Sequence, residues 1–419
     1  FAVALSVVAG AAVLVPVLLE VIRRVGRAAL TRWFRVEGLL AHANLSASVS
    51  RLAVSVAALV VSLSMLAAIA IMVNSFRETV TYWVGQTLQG DLFVSTANRT
   101  LVGPAATISE DSERIIAFHP AVAAIDRFHN TDLRYGPNDD LIILGAGDFG
   151  ILLDYGRLLF KAPTDGHTAM RSAIGTDAVV VSESFAMKYD VGVGEHVELD
   201  TMQGVRSFRV VAIYYDYSSD RGLVVMDRTT FERHYGVQRP TGLTIYLTLG
   251  ADPEAVRESI LMSGDVERQL FIRTNATLRA EVFRIFDATF AVTYALEAIA
   301  IFVAIMGVTA TLVTLILERR RELAVLRLIG AGSGQIRRMV MIEAAVLGML
   351  SQGLGLPVGV LLSLILIHVI NVQSFGWTIQ FYLPFGFLLQ STLLIVATTS
   401  LAGLYPAWVA RRLAVGEER

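Results

Sequence analysis

Apolar residues fall into two textures along this chain. Long, nearly unbroken apolar runs occupy 2–19, 52–73, 285–317, 339–370 and 385–404. Between the second and third runs the pattern changes to short alternations separated by turns. A helix needs ~20 apolar residues to cross a ~30 Å hydrocarbon core, so the runs predict a membrane α-helical bundle of about five spans. The second run is rich in small residues (Ser55, Ala57, Ala58, Ser62, Ser64, Ala67, Ala68, Ala70). Small residues let helices approach closely in lipid, so this span is expected to pack against protein. Its helical pattern continues through Phe76, Val80, Trp83 and Leu88, with Tyr82 and Trp83 as interfacial anchors or stalk contacts. Glu281–Leu317 exceeds the bilayer, so its first turns are expected outside, with Glu297 an interfacial or inter-helix carboxylate. The run 339–370 is expected to break at Gly353, Gly355 and Pro357, with Glu343 snorkelling or pairing with Arg337 or Arg338.

Residues 90–278 read as an α+β domain inserted between the second and third spans. Asp91–Thr96, Val122–Leu133, Leu141–Gly145, Thr244–Leu249 and Gln269–Arg273 alternate like strands. Ser109 caps a helix to Phe118 with Glu110 and Asp111 in its first turn, and Asp252-Pro253-Glu254 opens another. Two strand–helix–strand halves flanking an insertion predict a split βαβ layout. The insertion, about 150–240, reads as a β-rich subdomain of strands and turns, with Gly192 and Gly194 in a tight connection.

Charge orients the chain. Arg23, Arg24, Arg27, Arg32 and Arg35 follow the first run, arginines crowd 318–338, and Arg411 and Arg412 follow the last. The positive-inside rule then places 20–51, 318–338 and the carboxyl end inside, and 74–284 and the uncharged link 371–384 outside. The predicted order is a span at 1–19, a cytoplasmic linker and elbow helix at 20–51, and a transmembrane and stalk helix at 52–89. The extracytoplasmic domain follows at 90–278, then a stalk and span at 279–317, a loop at 318–338, and spans at 339–370 and 385–412. Composition agrees: 54% of the 419 residues are hydrophobic and 17% charged, with mean hydropathy +0.58. There are no cysteines, which excludes disulfides and thiolate metal sites. The run 2–19 lacks a basic n-region and is read as a span whose upstream chain is missing, rather than a signal peptide.

Glu318-Arg-Arg-Arg-Glu-Leu-Ala-Val-Leu-Arg-Leu-Ile-Gly-Ala331 lies between two membrane-length runs. Leu323, Leu326 and Arg327 share one helical face, and Glu318, Arg321, Glu322 and Val325 line another. Local Glu–Arg pairs support a short helix that Gly330 and Gly332 end. As charge alone, this is a positive-inside anchor. The ordered residues, followed by Gln335-Ile336 and a new apolar helix, resemble the cytoplasmic loop of FtsX/MacB-like ABC transporter permeases. The ordered V-V-V-x-E-S (179–184), V-G-x-x-V-x-L (193–199), V-V-A-I (210–213) and V-x-M-D (224–227) stretches resemble that family's MacB-like extracytoplasmic domain. The resemblance covers residues 36–412. It implies four spans forming one FtsX-like unit, with the additional run 2–19 marking the carboxyl-terminal half of a longer, duplicated permease.

The same resemblance implies function and partners. Glu318, Arg321, Glu322, Val325, Leu326, Arg327 and Gly330 would form the coupling helix that docks on a cytoplasmic ABC ATPase. ATP would be bound by that partner subunit, with no cofactor and no catalytic or metal site on this chain. Partners would include a second permease unit, membrane lipids, and an extracytoplasmic substrate-binding or cell-wall partner, with no nucleic acid. The domain would export or extract a lipoprotein, peptide, drug or other amphiphile at the bacterial cytoplasmic membrane. The alternative is an FtsX-like regulator that activates a cell-wall hydrolase without transport. No phosphate-loop, H-E-x-x-H or G-x-S-x-G pattern occurs; His119 and His129, in what reads as a turn and a strand, are the closest histidines, and separate structural roles are favoured over a metal site between them.

Overall fold

The computed structural model describes residues 2–17, 49–96, 107–263, 270–318 and 330–402, with isolated positions between them (20, 24, 43, 321, 325 and 328). The elbow stretch 36–48 thus lies almost wholly outside the described residues, as does 403–419. The chain divides into a helical unit (1–76, 288–370, 380–419) and a sheet unit (77–287, 371–379).

The helical unit contains α1 (Ala2–Val17), most of α2 (Val49–Thr87) and of α9 (Asn275–Glu318), α10 (Ser333–Ile365) and α12 (Phe385–Ala402). Val56–Thr87 and Gly334–Ser374 are long and apolar enough to cross a membrane; Ala2–Val17 and Phe385–Ala397 are shorter apolar helices. Val15, Val56, Val60, Ala344 and Leu347 form a shared buried core. The small residues of α2 do what their size allows. A Cβ on Gly359 of α10 would sit 2.6 Å from the Cβ of Ala67, and one on Gly355 would sit 3.1 Å from that of Leu63. Backbone contact this close needs glycine. Polar links add to it: Gln352 Nε2 donates to Thr392 Oγ1 at 2.8 Å, and Ser75 exchanges hydrogen bonds with Tyr382 N and O at 3.0 and 3.1 Å.

One expectation fails here. α10 runs unbroken through Gly353, Gly355 and Pro357. The proline removes one backbone donor, but packing on α2 holds the helix around it. The irregularity comes later, as a single π turn at Leu366–Asn371, before the short α11 (Val372–Phe375).

The sheet unit holds one mixed sheet in the order β10-β1-β9-β2-β3-β8-β5-β7-β4, with β6 on β7. Its first half is β1 (Leu92–Thr96), β2 (Val122–Tyr135), β9 (Gly242–Leu247) and β10 (Leu270–Thr274). These strands pair antiparallel, with α3 (Glu110–Ala117) and α8 (Pro253–Met262) as connections, which is the split βαβ arrangement. Ser109 and Asp252 cap the two helices through their side chains. β2 joins the halves because it is long: Val122–Phe128 pairs with β9, and His129–Tyr135 with β3 (Asp140–Gly147).

The second half adds β4 (Phe160–Ala162), β5 (Ala178–Ser182), β6 (His196–Thr201), β7 (Gly204–Tyr214) and β8 (Leu223–Asp227). Its β3–β8 and β5–β7 pairs are parallel. It is less β-rich than its sequence suggests. α4 (Phe149–Asp154), α5 (Gly166–Ala173), α6 (Glu183–Tyr189) and α7 (Arg228–Tyr235) are interleaved with the strands. α6 falls inside a stretch read as strands and turns. The cause is the Ser182 side chain, which accepts the Phe185 N–H and starts a helix directly off β5. Phe185 and Phe208 are fully buried in one core of this half, and Phe149 in another. Burying each contributes roughly 1.5–3 kcal/mol.

Candidate functional site

Glu318 is the last residue of α9. Arg321, Val325 and Leu328 are helical and exposed, and their spacing puts them on one face. Val325 is 56% and Leu328 86% exposed, so the face presents two apolar side chains flanked by a cation. Leu328 was not among the residues expected to contact a partner; Glu322, Leu326 and Arg327 lie outside the described residues. Gly330 has φ +100°, a left-handed conformation that a side chain would strain. Gly332 then caps α10, its N–H donating to Gln335 Oε1 at 2.9 Å.

At the other end, α2 and α9 are fastened within the sheet unit. Arg279 Nη2 donates to Leu88 O at 2.9 Å, and Asn275 Nδ2 donates to Leu88 O and Gly90 O at 2.8 and 2.6 Å. These donors satisfy carbonyls at the carboxyl end of α2, where a guanidinium also suits the helix dipole. Arg77 and Asp287 pair at 3.4 Å, but both are half exposed and add little.

A second fastening involves residues 371–379, read from sequence as part of a plain loop. Glu183, the first residue of α6, is fully buried. Lys161 Nζ donates to its Oε1 at 2.7 Å, as does Thr378 Oγ1 at 2.8 Å; Thr378 N donates to Oε2 at 3.1 Å. Three donors and a helix amino terminus stabilise the buried charge. Beside it, Tyr217 Oη donates to Thr378 O at 3.2 Å and its ring meets Trp377 edge-on at 4.9 Å. Trp83 at the end of α2 approaches the same Tyr217 ring at 5.6 Å and donates to Tyr215 O at 3.1 Å. Trp83 is therefore a stalk contact. Asn371 Nδ2 holds the segment's turn through Trp377 O at 2.8 Å. Burial, and then the charge of Glu183, raise the Tyr215 hydroxyl; burial raises the Asp216 carboxyl against the opposing Ser218 hydrogen bonds. The 214–222 loop thus receives both the end of α2 and the 371–379 segment. The sequence carried one sign of this: Glu183 and Ser182 are part of the V-V-V-x-E-S stretch.

The two histidines are separately engaged. His119 Nε2 bonds Ser259 Oγ at 3.2 Å, and His129 Nδ1 bonds Arg239 O at 2.8 Å.

Residues 52–261 match the MacB-like periplasmic core domain family, and residues 295–415 match the FtsX-like permease C-terminal family. The chain is 30% identical over 383 residues to the uncharacterized ABC transporter permease protein Rv0987 of Mycobacterium tuberculosis. That alignment covers 90% of this chain and 44% of the relative, so the chain spans under half of that protein's length. Among solved structures, the periplasmic region of MacB from Actinobacillus actinomycetemcomitans is similar at 13% identity, covering 47% of this chain and 94% of that one, with a TM-score of 0.34. The extracellular domain of the noncanonic ABC-type transporter YknZ from Gram-positive bacteria is similar at 13% identity over 44% and 99% of the two chains, TM-score 0.31. With a MacB-like periplasmic core built on a mixed sheet and an FtsX-like permease region on one chain, this protein belongs to the FtsX/MacB-like ABC transporter permease family of membrane proteins.

Proposed function

We propose that this chain is a permease subunit that converts ATP hydrolysis on a separate cytoplasmic ABC ATPase into motion of its extracytoplasmic domain, moving an amphiphilic substrate such as a lipoprotein, peptide or drug. In this reading the chain has five spans, with the sheet unit inserted between the second and third. The ATPase docks on 318–330 through Glu318, Arg321, Glu322, Val325, Leu326 and Arg327, with Leu328 as a further apolar anchor, and Gly330 turns the chain back.

The observation that supports this reading most is the continuity of α9. It starts in the sheet unit at Asn275 and runs 44 residues to Glu318, the first residue of the docking stretch. A push at that end has an unbroken helix to travel along, and Arg279 and Asn275 grip α2 at the other. The same continuity favours a transmitter of force over a pore.

The test is ATPase co-purification and stimulated ATP turnover for Glu322→Lys, with Glu417→Lys as an equally charged control. Like-charge juxtaposition at an interface costs several kcal/mol, whereas a reversal on a solvated loop stays within about 0.5 kcal/mol. Loss of the ATPase in Glu322→Lys alone is the expected result. Retention of association and full turnover in both variants would remove 318–330 from the interface. Stimulation of a cell-wall hydrolase with no substrate moved would instead support the regulatory role.

A further inference from the structure

The two faces of the first half-sheet are covered differently. Leu92, Val94, Ile125, Leu243 and Ile245 point to the face where α3 and α8 pack. Strand alternation sends Phe93, Asp126, Phe128, Thr244 and Tyr246 to the other face. The end of α2 and α4 close over that face without filling it, leaving a cavity of about 450 Å³. This is within the range of small-molecule sites.

Its walls are largely aromatic and apolar. Trp83 and Leu88 come from α2, Phe93 and Phe128 from the first half-sheet, and Tyr214 and Val225 from the second, so an occupant would touch both halves. Two buried acids line this space, Asp126 at 3% and Asp216 at 5% exposed, and Asp126 is the one set in the first half-sheet. Its Oδ1 accepts the Asp148 N–H at 2.9 Å. No cation forms an ion pair with it among the described residues: Arg127 is engaged by Glu113 and, at 3.8 Å, Asp148, and Arg228 by Glu232 at 2.9 Å. Burial raises Asp126 to about 7; the Asp148 amide opposes the rise, the Asp148 charge adds to it, and the more distant Arg127 and Arg228 charges offset it only in part. A carboxyl left without a cation in an apolar cavity is poorly stabilised, and a ligand can supply the missing charge. An ammonium near aromatic faces gains further attraction from the rings.

We infer that this cavity is a binding site for a compact, largely apolar ligand bearing one basic amine, with the ammonium on Asp126 and the apolar body against Phe93, Phe128 and Trp83. Asp216 lies along the same cavity as a second carboxyl that burial also raises, and it accepts the Ser218 N–H at 2.9 Å. The cations of the lining belong elsewhere: Arg221 pairs with Asp132 at 3.2 Å, and Arg157 is exposed. The inference goes beyond ATPase coupling and does not depend on it, since binding needs no nucleotide.

The test uses the full chain in lipid nanodiscs, with empty nanodiscs subtracted, and equilibrium dialysis at pH 7.5. Three probes share one apolar body: 2-(1-naphthyl)ethylamine, 2-(1-naphthyl)ethanol and 1-naphthylacetate. The amine is expected to bind about tenfold more tightly than the alcohol or the acetate. Asp126→Asn should abolish that preference while leaving alcohol binding unchanged, which also reports an intact cavity. Phe128→Trp, which fills the space, should weaken all three. Equal affinity of the three probes in the unaltered protein overturns the inference, as does no binding. Preference for the acetate would overturn it in favour of an anion site at Arg157. An amine preference that survives Asp126→Asn also refutes it.

Discussion

Thr378→Val tests whether the buried carboxylate holds the 371–379 segment. The substitution keeps the β-branched shape and the backbone N–H, and removes one donor to Glu183 Oε1 at 2.8 Å. A hydrogen bond to a charged group is worth about 1.5–3 kcal/mol. Lys161 still donates to the same oxygen at 2.7 Å, so the lower half of that range applies, about 1.5–2 kcal/mol. The loss should act on local opening of the segment. Amide exchange through such opening follows its free energy, so exchange in a peptide covering 372–383 should accelerate about 10- to 30-fold. The Thr378 amide is the most direct reporter, since it donates to Glu183 Oε2 at 3.1 Å. The assay is hydrogen–deuterium exchange with mass spectrometry on the full chain, with Thr378→Ser, which keeps the hydroxyl, expected near the unaltered rate. Unchanged exchange would refute the fastening. Equal acceleration in β9, remote in sequence, would also refute it, because the defect would then be global.

Gly359→Leu should lower the melting temperature by the equivalent of about 1–3 kcal/mol, because its Cβ alone would lie 2.6 Å from that of Ala67; Gly353→Ala, with open space at its Cβ, should be near neutral by the same thermal scan. A cysteine at Met202, 78% exposed in the β6–β7 turn, should react with an impermeant thiol reagent on intact cells, whereas one at Ser333 should not; the opposite pattern would invert the topology. Asp126 sets a pH dependence. Its folded value of about 7 lies above the ordinary 3.8, so between these the folded state binds more protons than the unfolded one. Stability should therefore fall as pH rises from about 4 to 7, by at most about 4 kcal/mol. Chemical denaturation of the full chain at several pH values should show this component lost in Asp126→Asn.

Much of the architecture is local and could be read without coordinates. The apolar runs, the capping residues Ser109 and Asp252, and the alternation of β1, β2, β9 and β10 each depend on neighbours a few residues apart. The docking stretch proposed at 318–330 rests on a contiguous order of charges, which is likewise a local feature. α6 was not: Ser182-Glu183-Ser184 follows a β-branched run, and only the side-chain cap on Phe185 N turns the chain helical. α10 reads as broken at Pro357 because propensity counts the missing donor and not the packing against α2.

What remained hidden depends on contacts between distant segments. Thr378 and Glu183 are 195 positions apart, and nothing near either predicts the other. A glutamate after a serine is an ordinary helix start; it becomes a buried anchor because Lys161, Thr378 and the strands around it exclude water together. Asp126 shows the same division. Alternation along β2 placed it on the face opposite Ile125, where an acid normally meets solvent. The end of α2, reaching that face with Trp83 and Leu88, turned open solvent into a partly covered cavity. Sequence determined which side of the strand the carboxylate occupies, because side-chain period is a property of the local backbone. Tertiary structure decided what lies there, because desolvation comes from whichever segments the fold brings over it.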